Sequence, residues 1–179
     1  MKLHKAAIRL AAILAVAAFT SVTLFAQNGP RLTDPEIASI AVTANQIDVN
    51  YGKNALAKLH NPEVKHFAET MIKDHEAIIK QAVELATRLG VVPKDNPTTQ
   101  SLLKGEKETN AKLAKLTGAA FEKAYIDNEV AFHEAVIATV KDVLIPQTDN
   151  AELKAFLVKA SPLLNHHLEM AKMAQKKVK

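Results

Sequence analysis

Five ionisable side chains occupy positions where helical periodicity predicts a buried, apolar face. In the segment IKDHEAIIKQAVELA, His75 lies at the centre of the apolar arc rather than at its polar edge. The same pattern recurs on three other predicted helices, at Asp48, at Glu129 with His133, and at His167. A buried carboxylate or imidazole without a partner is energetically costly, so these groups are expected to meet one another, water or a metal ion.

Metal binding is the chemistry that this set of residues suggests. Inward carboxylates and histidines near the middle of helices are how helical bundles build metal sites. Glu129 and His133 are four residues apart and can reach one ion from the same helical face. We therefore predict a site for a transition-metal ion, such as iron, zinc or copper, with no catalytic residue assigned. The predicted ligands are Asp48, His75, Glu129, His133 and His167.

The alternative is a core network of hydrogen bonds without a metal. A single histidine on an apolar face pairs with a neighbouring acid more often than it binds a metal. Ferritin-like di-iron sites also use Glu-x-x-His motifs on two helices. Here the only such motif, from Glu63 to His66, is predicted to point outward at a helix start.

The heights of the side chains along the bundle also bear on this choice. Counted from their connecting loop, Asp48 and His75 are expected to lie at nearly the same level. His133 and His167 are expected to differ by about seven residues, or roughly 10 Å along the axis. This second expectation argues against a single compact site.

The elements that position these residues are predicted helices, separated by residues that typically start or end a helix. Asp34-Pro35 opens the first helix, Asn61-Pro62 separates the first from the second, and Gly90 ends the second. A loop rich in proline and polar residues follows Gly90, and Thr117-Gly118 precedes the fourth helix. The predicted helices span about 34–60, 62–89, 98–116, 118–144 and 150–176.

The order of these helices predicts an all-α fold. Short links join the first helix to the second and the fourth to the fifth, whereas residues 91–118 form a long connection with its own helix. This order is typical of a ferritin-like four-helix bundle, made of two antiparallel hairpins with a long helical crossover between helices two and three of the bundle. The residues predicted to share one core are Phe67, Ile78, Leu85, Phe132, Val140, Phe156 and Leu163.

The first 26 residues have the pattern of a secretory signal peptide. A basic start, MKLHKAAIR, precedes an apolar run that ends at Ala26. We predict cleavage near Gln27, export to the periplasm or cell envelope, and a bundle domain over residues 27–179 with no membrane contact. An uncleaved membrane anchor is the alternative, although an apolar run of roughly 17 residues is at the lower limit for spanning a bilayer.

Composition excludes several classes of function. Cleavage would leave 20 basic against 19 acidic residues, and the net charge would fall from +4 to about +1. The remaining basic residues alternate with acidic ones and have no aromatic ladder, so nucleic-acid binding is not expected. The chain has no cysteine, which excludes disulfides and thiolate chemistry.

Four segments carry a resemblance to a known family: the apolar leader, FAETMIKDHEAI, LTGAAFEKAYIDNEVAFHEAVI and LLNHHLEMA. Over about residues 32–174 the chain resembles the exported bacterial ferritin-like proteins of the domain-of-unknown-function family DUF4142. The resemblance implies a ferritin-like bundle in the periplasm or cell envelope, with no settled activity. Its specific marks are Asp74-His75, Phe121 with Tyr125, His133, and His167 with Ala171.

Three functions are compatible with these features. The first is a non-catalytic envelope protein that binds a metal ion or contributes to stress tolerance through its inward cluster. The second is a di-metal redox enzyme, an oxidase or a peroxide scavenger, against which the missing paired Glu-x-x-His motifs argue. The third is a structural or interaction module whose inward polar groups pair without a metal.

Overall fold

The computed structural model describes residues 31–178, and all the secondary structure of that part of the chain is helical. The predicted signal peptide lies outside the described residues. The helices are α1 (Asp34–Leu56), α2 (Pro62–Leu89), α3 (Pro97–Leu113), α4 (Gly118–Thr139), a π-helical segment (Val140–Leu144), the one-turn helix α5 (Ile145–Gln147) and α6 (Ala151–Gln175). The predicted all-α class is confirmed. Within residues 31–178 no helix combines the length and apolarity needed to cross a membrane.

Local capping interactions explain where the helices begin. The Asn61 side chain accepts hydrogen bonds from the backbone N–H groups of Glu63 and Val64 at the start of α2. The Asn150 side chain does the same at the start of α6. Gly90 ends α2 in the left-handed conformation, with φ of 65°. Because these signals are local, they could be read from the sequence.

Helix α1 is shorter than predicted and ends at Leu56 instead of near His60. The reason is a contact with α4: the buried Glu122 carboxylate accepts hydrogen bonds from the backbone N–H groups of His60 and Asn61. These N–H groups point toward α4 instead of continuing the helix. A long-range contact of this kind leaves no signal in the local sequence.

The helices pack as two hairpins joined by a long connection. Helix α1 packs on α2, α4 packs on α6, and α2 packs on α6. Helix α3 belongs to the connection and lies against α1 and α4. This arrangement turns the predicted inward arcs of α1, α2, α4 and α6 toward one interior.

The interior contains two apolar clusters rather than the single predicted core. The first is formed near the α1–α2 turn and includes Tyr51, Phe67, Met71 and Tyr125. The second is formed near the turn before α6 and includes Ile37, Ile40, Val140 and Leu144. Of the predicted core residues, Phe67, Ile78 and Val140 are buried, Leu85 and Phe132 pack partly buried against the clusters, and Phe156 and Leu163 belong to neither.

Helix α6 buries a different stripe from the predicted one. Its buried residues include Leu157 and Leu164, whereas their predicted neighbours Phe156 and Leu163 are only partly buried. The sequence carries apolar pairs at both places, so two stripes that are offset by one residue fit the periodicity almost equally well. His167 belongs to both stripes, and its predicted inward position was therefore not affected.

Candidate metal centre

The structure brings all five of the predicted inward polar residues together in the middle of the helical bundle. Asp48 comes from α1, His75 from α2, Glu129 and His133 from α4, and His167 from α6. Each of these residues is at most 2% exposed. The prediction that His75 is buried within reach of another member is confirmed, because its Nε2 lies 3.6 Å from Asp48 Oδ2.

The three histidine rings face one another at short range. The distances between ring centres are 5.0 Å for His75 and His167, 5.8 Å for His133 and His167, and 5.9 Å for His75 and His133. Three imidazoles that share one ion through bonds of about 2.1 Å have ring centres roughly 5 Å apart. The rings are therefore spaced almost as a common ion would require.

Asp48 lies beside two of these histidines. Its Oδ2 is 3.6 Å from His75 Nε2, and its Oδ1 is 4.0 Å from His133 Nε2. Ligand atoms around a tetrahedral ion are about 3.4 Å apart. Potential ligand atoms of His75, His133 and His167 lie within 4.8 Å of one another, and the same holds for Asp48, Glu129 and His133.

The atoms that point into the cluster have no hydrogen-bond partners. Eight buried side-chain nitrogen or oxygen atoms lack a partner among residues 31–178, and six of them belong to these five residues. They are Asp48 Oδ1, both carboxylate oxygens of Glu129, Nε2 of His75 and of His133, and Nδ1 of His167. Each unsatisfied buried group costs about 1–3 kcal/mol. Hydrogen bonds of normal geometry among the described residues therefore leave the centre of the cluster unsatisfied.

The predicted mismatch in height between His133 and His167 is wrong. The helical path of α4 does not end at Leu144 but continues through the π-helical segment and α5 to Gln147. His133 therefore lies 17 residues before Asn150, and His167 lies 17 residues after it. The two rings meet at the same level, which removes one argument against a compact site.

Burial controls the charge of the cluster. Burial lowers the pKa of His75, although the nearby Asp48 charge partly opposes it. Burial, followed by the neighbouring His75, lowers the pKa of His167 to about 4. Both imidazoles are therefore neutral near pH 7 and keep a lone pair. Burial and then the Asp48 charge raise the pKa of Glu129 well above its usual value, which favours its protonated form.

Three residues beside the cluster were not identified as site residues from the sequence. Asn45 accepts a hydrogen bond from His75, and Asp74 accepts one from His167. Tyr125 lies one helical turn before Glu129, and its buried hydroxyl is close enough to the Glu129 carboxyl for the two groups to shift each other's pKa, without a hydrogen bond of normal geometry. Asn45 could have been noticed because it lies three residues before Asp48, on the same face of α1.

The described histidines outside the cluster are exposed. His66, in the only Glu-x-x-His motif, is exposed, and so is Glu63. His60 and His166 are also exposed. These histidines are suitable controls for any experiment on the buried ones.

The fold and the cluster define a helical-bundle protein with a buried centre of histidines and carboxylates. A family model described as Domain of unknown function (DUF4142) matches residues 20–174. The match covers most of the chain, so the protein belongs to this family, as its motifs predicted. No curated protein and no solved structure matches the chain.

Proposed function

We propose that this protein is an exported, ferritin-like bundle that binds one transition-metal ion in its buried centre and has no catalytic role of its own. The observation that carries the proposal is the convergence of six unpartnered potential ligand atoms from four helices. Neutral imidazole and carboxylate ligands suit iron, zinc or copper. Holding such an ion away from solvent would contribute to stress tolerance in the envelope.

The ferritin-like assignment rests on the order of the helices. Two hairpins, α1–α2 and α4–α6, are joined through a long connection that contains α3. In ferritin-like bundles the metal ligands project inward from facing helices in the same way. Export to the periplasm or envelope rests on the pattern of residues 1–26.

A di-metal redox enzyme is the second candidate. The observation that favours it is the presence of two overlapping groups of potential ligands, His75 with His133 and His167, and Asp48 with Glu129 and His133. Both groups need His133, whose Nδ1 already lies 2.9 Å from the Glu129 carbonyl oxygen. Only its Nε2 is free, and one lone pair cannot bind two ions, so a single ion is favoured.

The test is elemental analysis of protein purified from its native compartment without metal-affinity steps. We expect about one transition-metal ion per chain in the wild type and none in His133→Ala, because the substitution removes a ligand shared by both groups. His66→Ala, which changes an exposed histidine, should keep the metal. A metal-free wild type would leave a structural module with paired polar groups, whereas two ions per chain with turnover of oxygen or peroxide would support the enzyme.

A further inference from the structure

Each histidine of the cluster uses one ring nitrogen for a hydrogen bond to a fixed acceptor. His75 Nδ1 lies 2.7 Å from Asn45 Oδ1, and His167 Nε2 lies 3.1 Å from Asp74 Oδ2. His133 Nδ1 lies 2.9 Å from the backbone carbonyl oxygen of Glu129. A carbonyl or carboxylate oxygen can only accept, so the ring nitrogen that faces it must carry the proton.

The orientation of the Asn45 amide is fixed by a second contact. Its Nδ2 donates a hydrogen bond to the Ala41 carbonyl oxygen, at 2.7 Å. The amide oxygen must then face His75, and the imidazole donates to it through Nδ1. The three tautomers follow: Nδ1–H for His75 and His133, and Nε2–H for His167.

These tautomers leave one lone pair on each ring. The three nitrogens without a proton are Nε2 of His75, Nε2 of His133 and Nδ1 of His167. The same three nitrogens are buried without a hydrogen-bond partner. Histidine ligands of metal ions usually show this division, in which one nitrogen binds the ion and the other donates to an oxygen that orients the ring.

We propose that Asn45 and Asp74 are positioning residues of the metal site, which hold His75 and His167 in the tautomers that present Nε2 and Nδ1 to one divalent transition-metal ion. This proposal rests on the proposed metal binding, and it specifies the ligand atoms. Asp74 also affects the basicity of His167, because a carboxylate acceptor makes an imidazole a more basic ligand than an amide acceptor does. His167 is therefore the more strongly donating of these two ligands.

The tautomers can be measured without any metal. The full-length chain is expressed and its metal is removed with a chelator. Long-range proton–nitrogen correlation spectra of this metal-free protein then separate the two ring nitrogens of each histidine. We expect protonated Nδ1 in His75 and His133, and protonated Nε2 in His167. The opposite tautomer at His75 or at His167 would overturn the assignment, whether or not the protein binds a metal.

The positioning role is tested by cobalt and zinc affinity in variants. Asn45→Ala and Asp74→Ala should weaken binding by about 10–100-fold, as partners outside the ligand shell typically do. The conservative variants Asn45→Asp and Asp74→Asn keep an acceptor and should recover most of the affinity. The matched control is Glu76→Ala on α2, which removes only an exposed ion pair with Lys53.

The outcomes separate the two proposals. Wild-type binding with unchanged affinity in both alanine variants would overturn the positioning role and leave the metal site intact. Loss of affinity without rescue by Asn45→Asp or Asp74→Asn would point to general damage of the fold, and this result would also overturn the positioning role. A wild type that binds neither cobalt nor zinc would overturn metal binding by these atoms, and Asn45 and Asp74 would then be hydrogen-bond partners only.

Discussion

The two carboxylates of the centre occupy different places relative to the free imidazole nitrogens. Asp48 approaches Nε2 of both His75 and His133, the nitrogens that keep their lone pairs. Glu129 comes nearest to His133 through Nδ1, at 3.8 Å, and that nitrogen is already bonded to a backbone carbonyl. Asp48 is therefore better placed than Glu129 to share an ion with these two nitrogens.

This difference predicts unequal effects of two isosteric substitutions. Asp48→Asn should weaken zinc binding by more than about 100-fold, beyond what a residue outside the ligand shell contributes. Glu129→Gln should weaken it by about tenfold or less, because the ring nitrogen nearest to Glu129, His133 Nδ1, is already hydrogen-bonded. Competition with a chromophoric chelator measures both affinities. Equal losses in the two variants would show that Glu129 also binds the ion.

Helical periodicity was sufficient to identify the five residues of the centre but not their roles. A charged residue inside an apolar arc is visible in the sequence, and each of the five is buried as its arc predicted. The roles of Asn45 and Asp74 as hydrogen-bond partners depend on which atom of each side chain faces which histidine ring. That information arises only when α1, α2 and α6 have packed, so no spacing rule could supply it.

The close packing of α1 on α2 depends on a glycine. A Cβ atom at Gly52 would lie 2.8 Å from Ile72 Cγ1 and 3.1 Å from the Ala68 carbonyl oxygen. Neither atom is the free end of a flexible chain, so the helices would have to separate. Because Asp48 and His75 are carried by these two helices, their separation also affects the centre.

Two Gly→Ala substitutions test this contact. Gly52→Ala should lower the free energy of unfolding by about 1–3 kcal/mol, the usual cost of overpacking. Gly105→Ala is the matched control, since Gly105 lies within α3 and a Cβ there meets nothing within 4 Å. It should raise stability by about 0.5–1 kcal/mol through helix propensity. Chemical denaturation measures both, and a neutral Gly52→Ala would contradict the close approach.

At the scale of elements, the sequence predicted what local chemistry determines. The starts of α2 and α6 follow from Asn61 and Asn150, whose side chains cap their own helices. The π-helical segment Val140–Leu144 has no comparable signal. Val140 and Leu144, at its two ends, both belong to the second apolar cluster.

Across the whole molecule, the polar centre lies between the two apolar clusters. The first cluster uses Met71, Tyr125 and Ala171, and the second uses Ile40, Val140 and Leu164. On α2, α4 and α6 the buried histidine falls between apolar residues near the two ends of the bundle. A layer of unpartnered polar atoms across the middle weakens the metal-free fold, and an ion bound by Asp48 and the three histidines would join the two hairpins.

Metal binding should therefore raise the stability of the entire bundle. At free zinc of 100 times the dissociation constant, linkage predicts about 2.7 kcal/mol of added stability. For a chain of this size that corresponds to a rise in unfolding temperature of roughly 5–10 °C. Calorimetry with zinc and with a chelator measures the shift. His167→Ala should abolish it, whereas His166→Ala, which changes the exposed neighbour, should show the wild-type shift. An equal shift in His167→Ala would mean that zinc stabilises the protein from another site.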